Sequence, residues 1–452
     1  MKLFSEDKNY KLYQGSMLYM LEVIKPNTID SIVTDPPYEL NFMSKGWDNA
    51  GVSFQKETWQ KCYEVLKPGG YLLAFGGSRT FHRIACAIED AGFEIRDTIM
   101  WLYGSGFPKS MNIGLAIDKK KGVQGQRGIG GFNVCGIQEQ QNRKAKLYIG
   151  STTDGSKQKA YTDYKSDLAK QWQGWGTALK PSFEPIIVAR KPFKGSLVDN
   201  VIENGVGGIN IDECRVELNG DKKTTGGCKT RADNISHLKF RASQVNKEDN
   251  SVGRFPANTI LTYDESDFDE VCGGFPNTKS QVRVSEDKDI KQNTWNLGRK
   301  GITPRGHNDS GSASRYFYCA KASKKDRDEG LNEFEERIEC DRNEECYSAN
   351  VPFNRSANPK KNTHPTVKPT ELMQYLVRLV TPNGGTVLDP FNGSGSTGKA
   401  VMYENHDRNK GYKYIGIELT EEYLPIAQTR IEYVCNLKED KKKQSTIFDF
   451  IK

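Results

Sequence analysis

Residues 31–38, Ser31-Ile32-Val33-Thr34-Asp35-Pro36-Pro37-Tyr38, run a short apolar strand straight into an aspartate and two prolines. The strand does not alternate polar with apolar, so both of its faces need apolar neighbours, as in the interior of a parallel sheet. Proline lacks a backbone N–H and fixes φ, so strand pairing stops at Pro36 and the chain turns with its acid held at the strand's carboxyl end. The surroundings repeat this layout. Trp59, Cys62, Tyr63 and Leu66 fall at offsets 0, 3, 4 and 7, predicting a helix that stops at Lys67-Pro68-Gly69-Gly70 and feeds a strand over 71–75. Phe81, Ile84, Ala85 and Ile88 predict a further helix, closed by Gly92 and followed by an extended run over 95–103.

The alternation breaks off and resumes far along the chain. Residues 119–170 are polar, with Gly122, Gly125, Gly128, Gly130 and Gly131 arguing against regular structure, and Phe183–Arg190 reads as one more strand. Residues 199–355 are again polar and glycine-rich. Then Leu372, Tyr375, Leu376, Leu379 and Val380 form the apolar stripe of a helix that Thr370 can cap. A strand over 386–389 enters the turn Asp389-Pro390-Phe391-Asn392-Gly393-Ser394-Gly395-Ser396, and a second acid, Glu418, ends the next strand. The expected segments are 1–118 and 356–436 as two halves of one α/β domain joined by a strand in 171–198. Two insertions, 119–170 and 199–355, interrupt that domain, and 437–452 form a charged tail.

The two turns suggest different chemistry. Gly393, Gly398 and Lys399 are spaced as in a phosphate-binding loop, but Ala400 stands where such loops need a hydroxyl for magnesium, which opposes an ATPase. An acid at the end of the following strand suits a ribose diol, so a nucleoside without a required triphosphate fits better. At the other turn, the exocyclic amine of a base is a poor nucleophile, because its lone pair is delocalised into the ring. Two acceptors on its N–H groups aim that lone pair, and the Asp35 carboxylate and Pro36 carbonyl can supply them. Pro37 helps fix these acceptors, and Tyr38 offers a ring on which an extruded base can stack.

With these motifs in this order, the sequence resembles the permuted β group of DNA amino-methyltransferases. The resemblance rests on Asp35-Pro36-Pro37-Tyr38, on His364-Pro365-Thr366-Val367-Lys368-Pro369 and on the glycine turn. It implies a seven-stranded, mostly parallel Rossmann-like sheet, circularly permuted, with two polar insertions for DNA recognition. It also implies S-adenosylmethionine as cofactor and methyl transfer to a flipped base, adenine N6 ahead of cytosine N4. A non-catalytic DNA-binding relative is the other reading, and the intact Asp35 to Tyr38 motif opposes it. By the same resemblance, Asp35, Pro36, Pro37 and Tyr38 are catalytic. Thr366, Lys368, Asp389, Phe391, Asn392, Gly393, Ser394, Gly395, Ser396 and Glu418 line the cofactor. Family members often carry an acid where this chain has Gly15-Ser16.

Charge points to the same partner. Lys plus Arg number 65 against 58 Asp plus Glu, a net +7. Residues 119–170 hold eleven cations against four acids, which accounts for the whole excess. Lys119, Lys120, Lys121, Arg127, Arg143, Lys144 and Lys146 are the candidate contacts to double-stranded DNA, and Trp172 and Trp175 follow as rings able to stack or wedge. The tail has Gln444 followed by Ile447 and Phe448 and runs on to Ile451, resembling the short peptides that dock on replication sliding clamps. Ten scattered cysteines, the closest pair being Cys340 and Cys346, with five histidines, suggest neither a metal site nor disulfides. No apolar run approaches the ~20 residues of a membrane span, so a cytoplasmic protein without membrane contact is expected.

Overall fold

The computed structural model describes residues 1–39, 51–103, 110–123, 126–129, 160–216, 253–263, 277–279, 283–284, 304–305, 310–312, 317–321, 324–337 and 360–437. The chain divides into two compact units, Met1–Gly104 with Phe183–Lys452, and Ser105–Ser182.

Among the described residues the larger unit is built on one sheet of ten strands. In chain order these are β1 (Lys2–Glu6), β2 (Tyr10–Gln14), β3 (Ile29–Thr34), β4 (Leu66–Phe75), β5 (Glu94–Tyr103), β6 (Phe183–Arg190), β7 (Thr259–Tyr263), β8 (Tyr318–Lys321), β9 (Thr386–Asp389) and β10 (Lys413–Glu418). Across the sheet they lie in the order β1-β2-β10-β9-β3-β4-β6-β5-β7-β8. Strands β2, β10, β9, β3 and β4 are mutually parallel. Strand β6 runs against both β4 and β5. The expected count of seven is corrected to ten. Strand β1 extends one edge as a hairpin with β2. Strands β7 and β8, from the polar stretch 199–355, extend the other, because Ile260 and Leu261 are adjacent and both buried.

The non-alternating strands are explained by apolar layers on both faces. Ile32 and Leu72 belong to one buried cluster with Trp59, Ile84 and Ile88, on helices α1 (Lys56–Val65) and α2 (Phe81–Asp90). The adjacent Val33 and Leu73 belong to the opposite cluster. That one holds Leu372, Leu376, Val401 and Ile431, on helices α5 (Thr370–Val380), α6 (Ser396–Arg408) and α7 (Leu424–Cys435), which follow α3 (Leu197–Asn204) and α4 (Lys324–Asp328) in the chain. Thr370 is the first residue of α5 and not its cap. Its N–H donates to Asp326 Oδ2 at 2.6 Å and its hydroxyl to Asp326 Oδ1, so an acid from α4 satisfies the helix start.

From β3 the chain crosses through α1 to β4 on one side, and from β9 through α6 to β10 on the other. Strands β3 and β9 are neighbours, with Val387 opposite Ser31 and Leu388 opposite Ile32. The chain leaves two adjacent parallel strands in opposite directions, which opens a crevice at their carboxyl ends, the place where open α/β sheets bind ligands.

In the smaller unit, helix Ile113–Lys120 is capped by Asn112, whose Oδ1 accepts from Leu115 N at 3.0 Å. The buried Asp118 carboxylate accepts from Lys165 N at 2.8 Å, Ser166 N at 3.0 Å and Ser166 Oγ at 2.7 Å, fixing the start of helix Asp167–Gln171. A short hairpin pairs Gln126–Ile129 with Ala160–Asp163, so part of the stretch expected to lack regular structure has it. Lys119, Lys120 and Lys121 are exposed. The Arg127 side chain, Arg143, Lys144, Lys146 and the tail from Gln444 to Ile451 lie outside the described residues.

Candidate active site

Two turns meet at the crevice, and a direct hydrogen bond joins them. Thr34, the last residue of β3, donates from Oγ1 to Asp389 Oδ1 at 2.6 Å. Thr397 Oγ1 donates to Asp389 Oδ2 at 2.6 Å, and Phe391 N donates to Oδ1 at 3.1 Å. Burial pushes the Asp389 carboxyl up to about 6, against the pull of those three donors. Asp389 therefore serves as the internal frame of the glycine turn.

The rest of that turn is held just as closely. Glu418, at the end of β10, accepts from Gly393 N and from Thr420 N, each at 2.7 Å. Burial raises its carboxyl from the usual range, although these backbone donors oppose the shift. Each carboxylate oxygen retains a second lone pair for a further donor. Asn392 Oδ1 accepts from the Tyr414 phenol at 2.7 Å, and Arg430 Nη1 donates to the Ser394 carbonyl at 2.6 Å and to Ser394 Oγ at 3.1 Å. Arg430 is fully buried, and desolvation lowers it to about 10. Gly395 has φ +76° and is the N-cap of α6, and a Cβ there would lie 3.0 Å from the Ala427 backbone, so glycine is required on both counts. Ser396 begins α6, whose first-turn amides are oriented for an anion.

Lys399 does not face this loop. It is buried, with Nζ 2.7 Å from Asp326 Oδ1 and 2.7 Å from Glu329 Oε2. A phosphate-gripping role is therefore excluded by direction as well as by Ala400. Asp326 is held below the usual carboxylate range; burial pushes it up, but Lys399 and the Thr370 donors outweigh that.

At the other turn, Asp35 to Tyr38 is anchored from outside. Ser53 Oγ donates to the Pro37 carbonyl at 2.5 Å, and Thr80 Oγ1 to the Tyr38 carbonyl at 2.9 Å. The buried Asp35 Oδ1 has no hydrogen-bond partner among the described residues. Asp35 Oδ2 accepts from Lys368 Nζ at 2.7 Å, which also donates to Tyr38 Oη at 3.2 Å. Tyr38 donates its phenol to Glu184 Oε2 at 2.7 Å, and Tyr103 donates to Oε1 at 3.3 Å. Burial, then Asp35 and Glu184, raise Tyr38 well above the ordinary phenol range. Burial alone would lower Lys368, but the two carboxylates more than offset it and raise it.

The segment 364–369 bridges the turns. The His364 ring, lowered to about 3 by burial, is neutral and donates from Nδ1 to the Thr366 carbonyl at 2.7 Å. Its Nε2 lies 2.8 Å from where a Gly393 Cβ would sit. The Thr366 side chain is exposed, and Lys368 is buried against Asp35. Gly15, where relatives often carry an acid on the next residue, donates its N–H to the Glu418 carbonyl at 2.9 Å, and Ser16 caps a 3-10 turn over Met17–Glu22.

Sequence reasoning brought Asp35, Tyr38, Lys368, Asp389, Gly393 and Glu418 to one crevice, and the structure joins them. It missed Glu184, Arg430 and Asp326. Glu184 had a signal, an acid inside an otherwise apolar strand. Arg430 and Asp326 had none, since their partners are set by tertiary packing.

In this mostly parallel α/β sheet the Thr34 bond to Asp389 brings an aspartate-diproline corner and a glycine turn together at the strands' carboxyl ends, where such sheets bind nucleotides. The chain belongs to the DNA methylase family of the N6/N4 type, whose model matches residues 29–429. It is similar to the type II methyltransferase M2.DpnII of Streptococcus pneumoniae, 41% identical over 69 residues, 15% of this chain and 24% of that protein. It is also similar to the type II methyltransferase M.HindIII of Haemophilus influenzae, 21% identical over 243 residues, 44% of this chain and 64% of that protein. The matched stretches thus span less than two thirds of either relative. Among solved structures, the PvuII DNA methyltransferase (cytosine-N4-specific) aligns with a TM-score of 0.39 at 12% identity, covering 96% of this chain and 88% of that one. Among the described residues no helix is long and apolar enough to cross a membrane.

Proposed function

We propose that this chain methylates the exocyclic amine of a base flipped out of double-stranded DNA, adenine N6, using S-adenosylmethionine. The observation that carries the reading is the buried Asp35 Oδ1, without a partner among the described residues, beside the Pro36 carbonyl and one residue from the Thr34 bond to Asp389. An amine with two N–H groups satisfies both acceptors, while Tyr38 offers its ring to the base.

The residues present fit the cofactor. Glu418 has lone pairs left for a ribose diol, and the first turn of α6, which begins at Ser396 after Gly393 and Gly395, offers amides to a carboxylate. When bound, S-adenosylmethionine supplies an electrophilic methyl group on a sulfonium. Asp35 and Pro36 orient the amine so that its lone pair leaves the ring plane, and Asp35 accepts the proton that the amine sheds. Asp389, Asn392 and Ser394 act by holding the turn in shape. Lys119, Lys120 and Lys121, exposed on the smaller unit, suit DNA phosphates.

The test is expression in a host free of DNA methylation with genome-wide mapping of modified bases. N6-methyladenine at one sequence motif is expected. Asp35→Ala should lose about 10³-fold or more in rate and retain cofactor binding. N4-methylcytosine would reassign the base, and modified bases persisting in Asp35→Ala and Tyr38→Ala would remove the assigned roles.

A further inference from the structure

An ammonium group and the exocyclic amine of a base make the same demands on a protein. Both present N–H donors that need acceptors, and both are favoured beside an electron-rich aromatic face. Lys368 finds all of this at the Asp35 corner. Its Nζ lies 2.7 Å from Asp35 Oδ2, and it sits 4.9 Å, 5.3 Å and 5.8 Å from the ring centroids of Phe75, Tyr38 and Trp101. The side chain is 8% exposed, so the ammonium is enclosed by these groups. The ammonium thus stands between the Tyr38 ring and the Asp35 carboxylate, the two groups that a flipped base would use.

A second carboxylate stands within reach. Glu184, on β6, has Oε2 3.4 Å from Lys368 Nζ, and it already accepts the Tyr38 phenol. A small swing of the ammonium from Asp35 toward Glu184 keeps it paired throughout. Without Glu184, giving up Asp35 would strand a buried charge. The lysine sits in the loop 364–369 ahead of α5, and its four-carbon stem allows such a swing.

Resting on the function proposed above, we propose that Lys368 is an internal stand-in for the target amine, held on Asp35 until a base enters, and that Glu184 is the positioning residue that receives it. The exchange adds selectivity. Only a base that brings N–H donors to Asp35 can replace those of Lys368, whereas a carbonyl at the same place would face a carboxylate and leave the lysine where it is.

The experiment uses the full chain as wild type, Glu184→Gln, Glu184→Asp, Lys368→Met and the Glu184→Gln/Lys368→Met double variant. Cofactor affinity is measured directly, and kcat and KM are measured on a target duplex. Glu184→Gln should lower kcat by about 10²-fold with cofactor affinity unchanged, because Lys368 stays on Asp35. Glu184→Asp should recover part of the loss. Adding Lys368→Met to Glu184→Gln should raise kcat again, since the obstruction is gone. A double variant no faster than Glu184→Gln overturns the proposal. Should Glu184→Gln fail to fold, Lys368→Met alone decides: its KM for the duplex should fall, and an unchanged or higher KM overturns the proposal. A crystal structure of the wild type with the duplex decides it without turnover. Lys368 on Glu184 supports the exchange, and Lys368 still on Asp35 beside a seated base defeats it, whether or not the wild type proves to be a methyltransferase.

Discussion

The turns after β9 and β3 lie side by side but use their polar groups in opposite ways. After β9, Asp389 takes three protein donors, Glu418 takes two, and Asn392 and Ser394 are gripped by Tyr414 and Arg430. After β3, one Asp35 oxygen lacks any partner among the described residues, and the other is held by a lysine 333 positions away in sequence. The first turn spends its hydrogen-bonding capacity on its own shape. The second keeps capacity in reserve at a cost in stability, which is the usual mark of a reactive position.

Removing each acid in turn gives the largest contrast. Asp389→Ala leaves two buried hydroxyls and a backbone N–H without their acceptor, and chemical denaturation should show a loss of roughly 3–5 kcal/mol together with lost cofactor binding. Asp35→Ala should change the denaturation midpoint little while removing activity. Equal destabilisation by both substitutions would erase the distinction.

The Asp389 carboxyl also makes a pH prediction of intermediate size. It is raised to about 6 in the fold, against an ordinary value of 3.8, so the folded state binds the proton more tightly than the unfolded chain. The resulting stabilisation is complete below pH ~4 and is lost as pH rises through about 6, a change of roughly 3 kcal/mol. Asp389→Asn lacks this proton. Urea midpoints of wild type and variant should therefore diverge across that window, and parallel curves would refute the assignment.

The smallest effect concerns the backbone of the turn. Gly395→Ala forces a side chain into φ +76° and against Ala427, and should cost about 1–3 kcal/mol and weaken the cofactor more than the DNA. Weakened DNA binding with unchanged cofactor affinity would place this glycine on the wrong side of the comparison.

Both turns were legible in the sequence because their residues follow apolar strands directly, where backbone geometry alone decides the position. The doubly wound sheet was legible for the same reason, from runs such as Ile32-Val33 and Leu72-Leu73 that bury consecutive residues. Lys368 was read with the cofactor because of its neighbours in sequence, but a long flexible stem reaches well beyond them. Arg430 and Asp326 act across 36 and 44 positions on Ser394 and Thr370, and no local pattern marks such partners. Strands β7 and β8, five and four residues long within polar sequence, are too short for periodicity to separate them from loops.

Strand β3 finds its neighbour β9 some 350 positions later in the polymer. During synthesis β3 emerges with one flank bare, and that flank stays bare until β9, some 350 residues further on, has also been made. Nascent chains halted before residue 386 should therefore associate with chaperones, and release should coincide with emergence of β9 and β10.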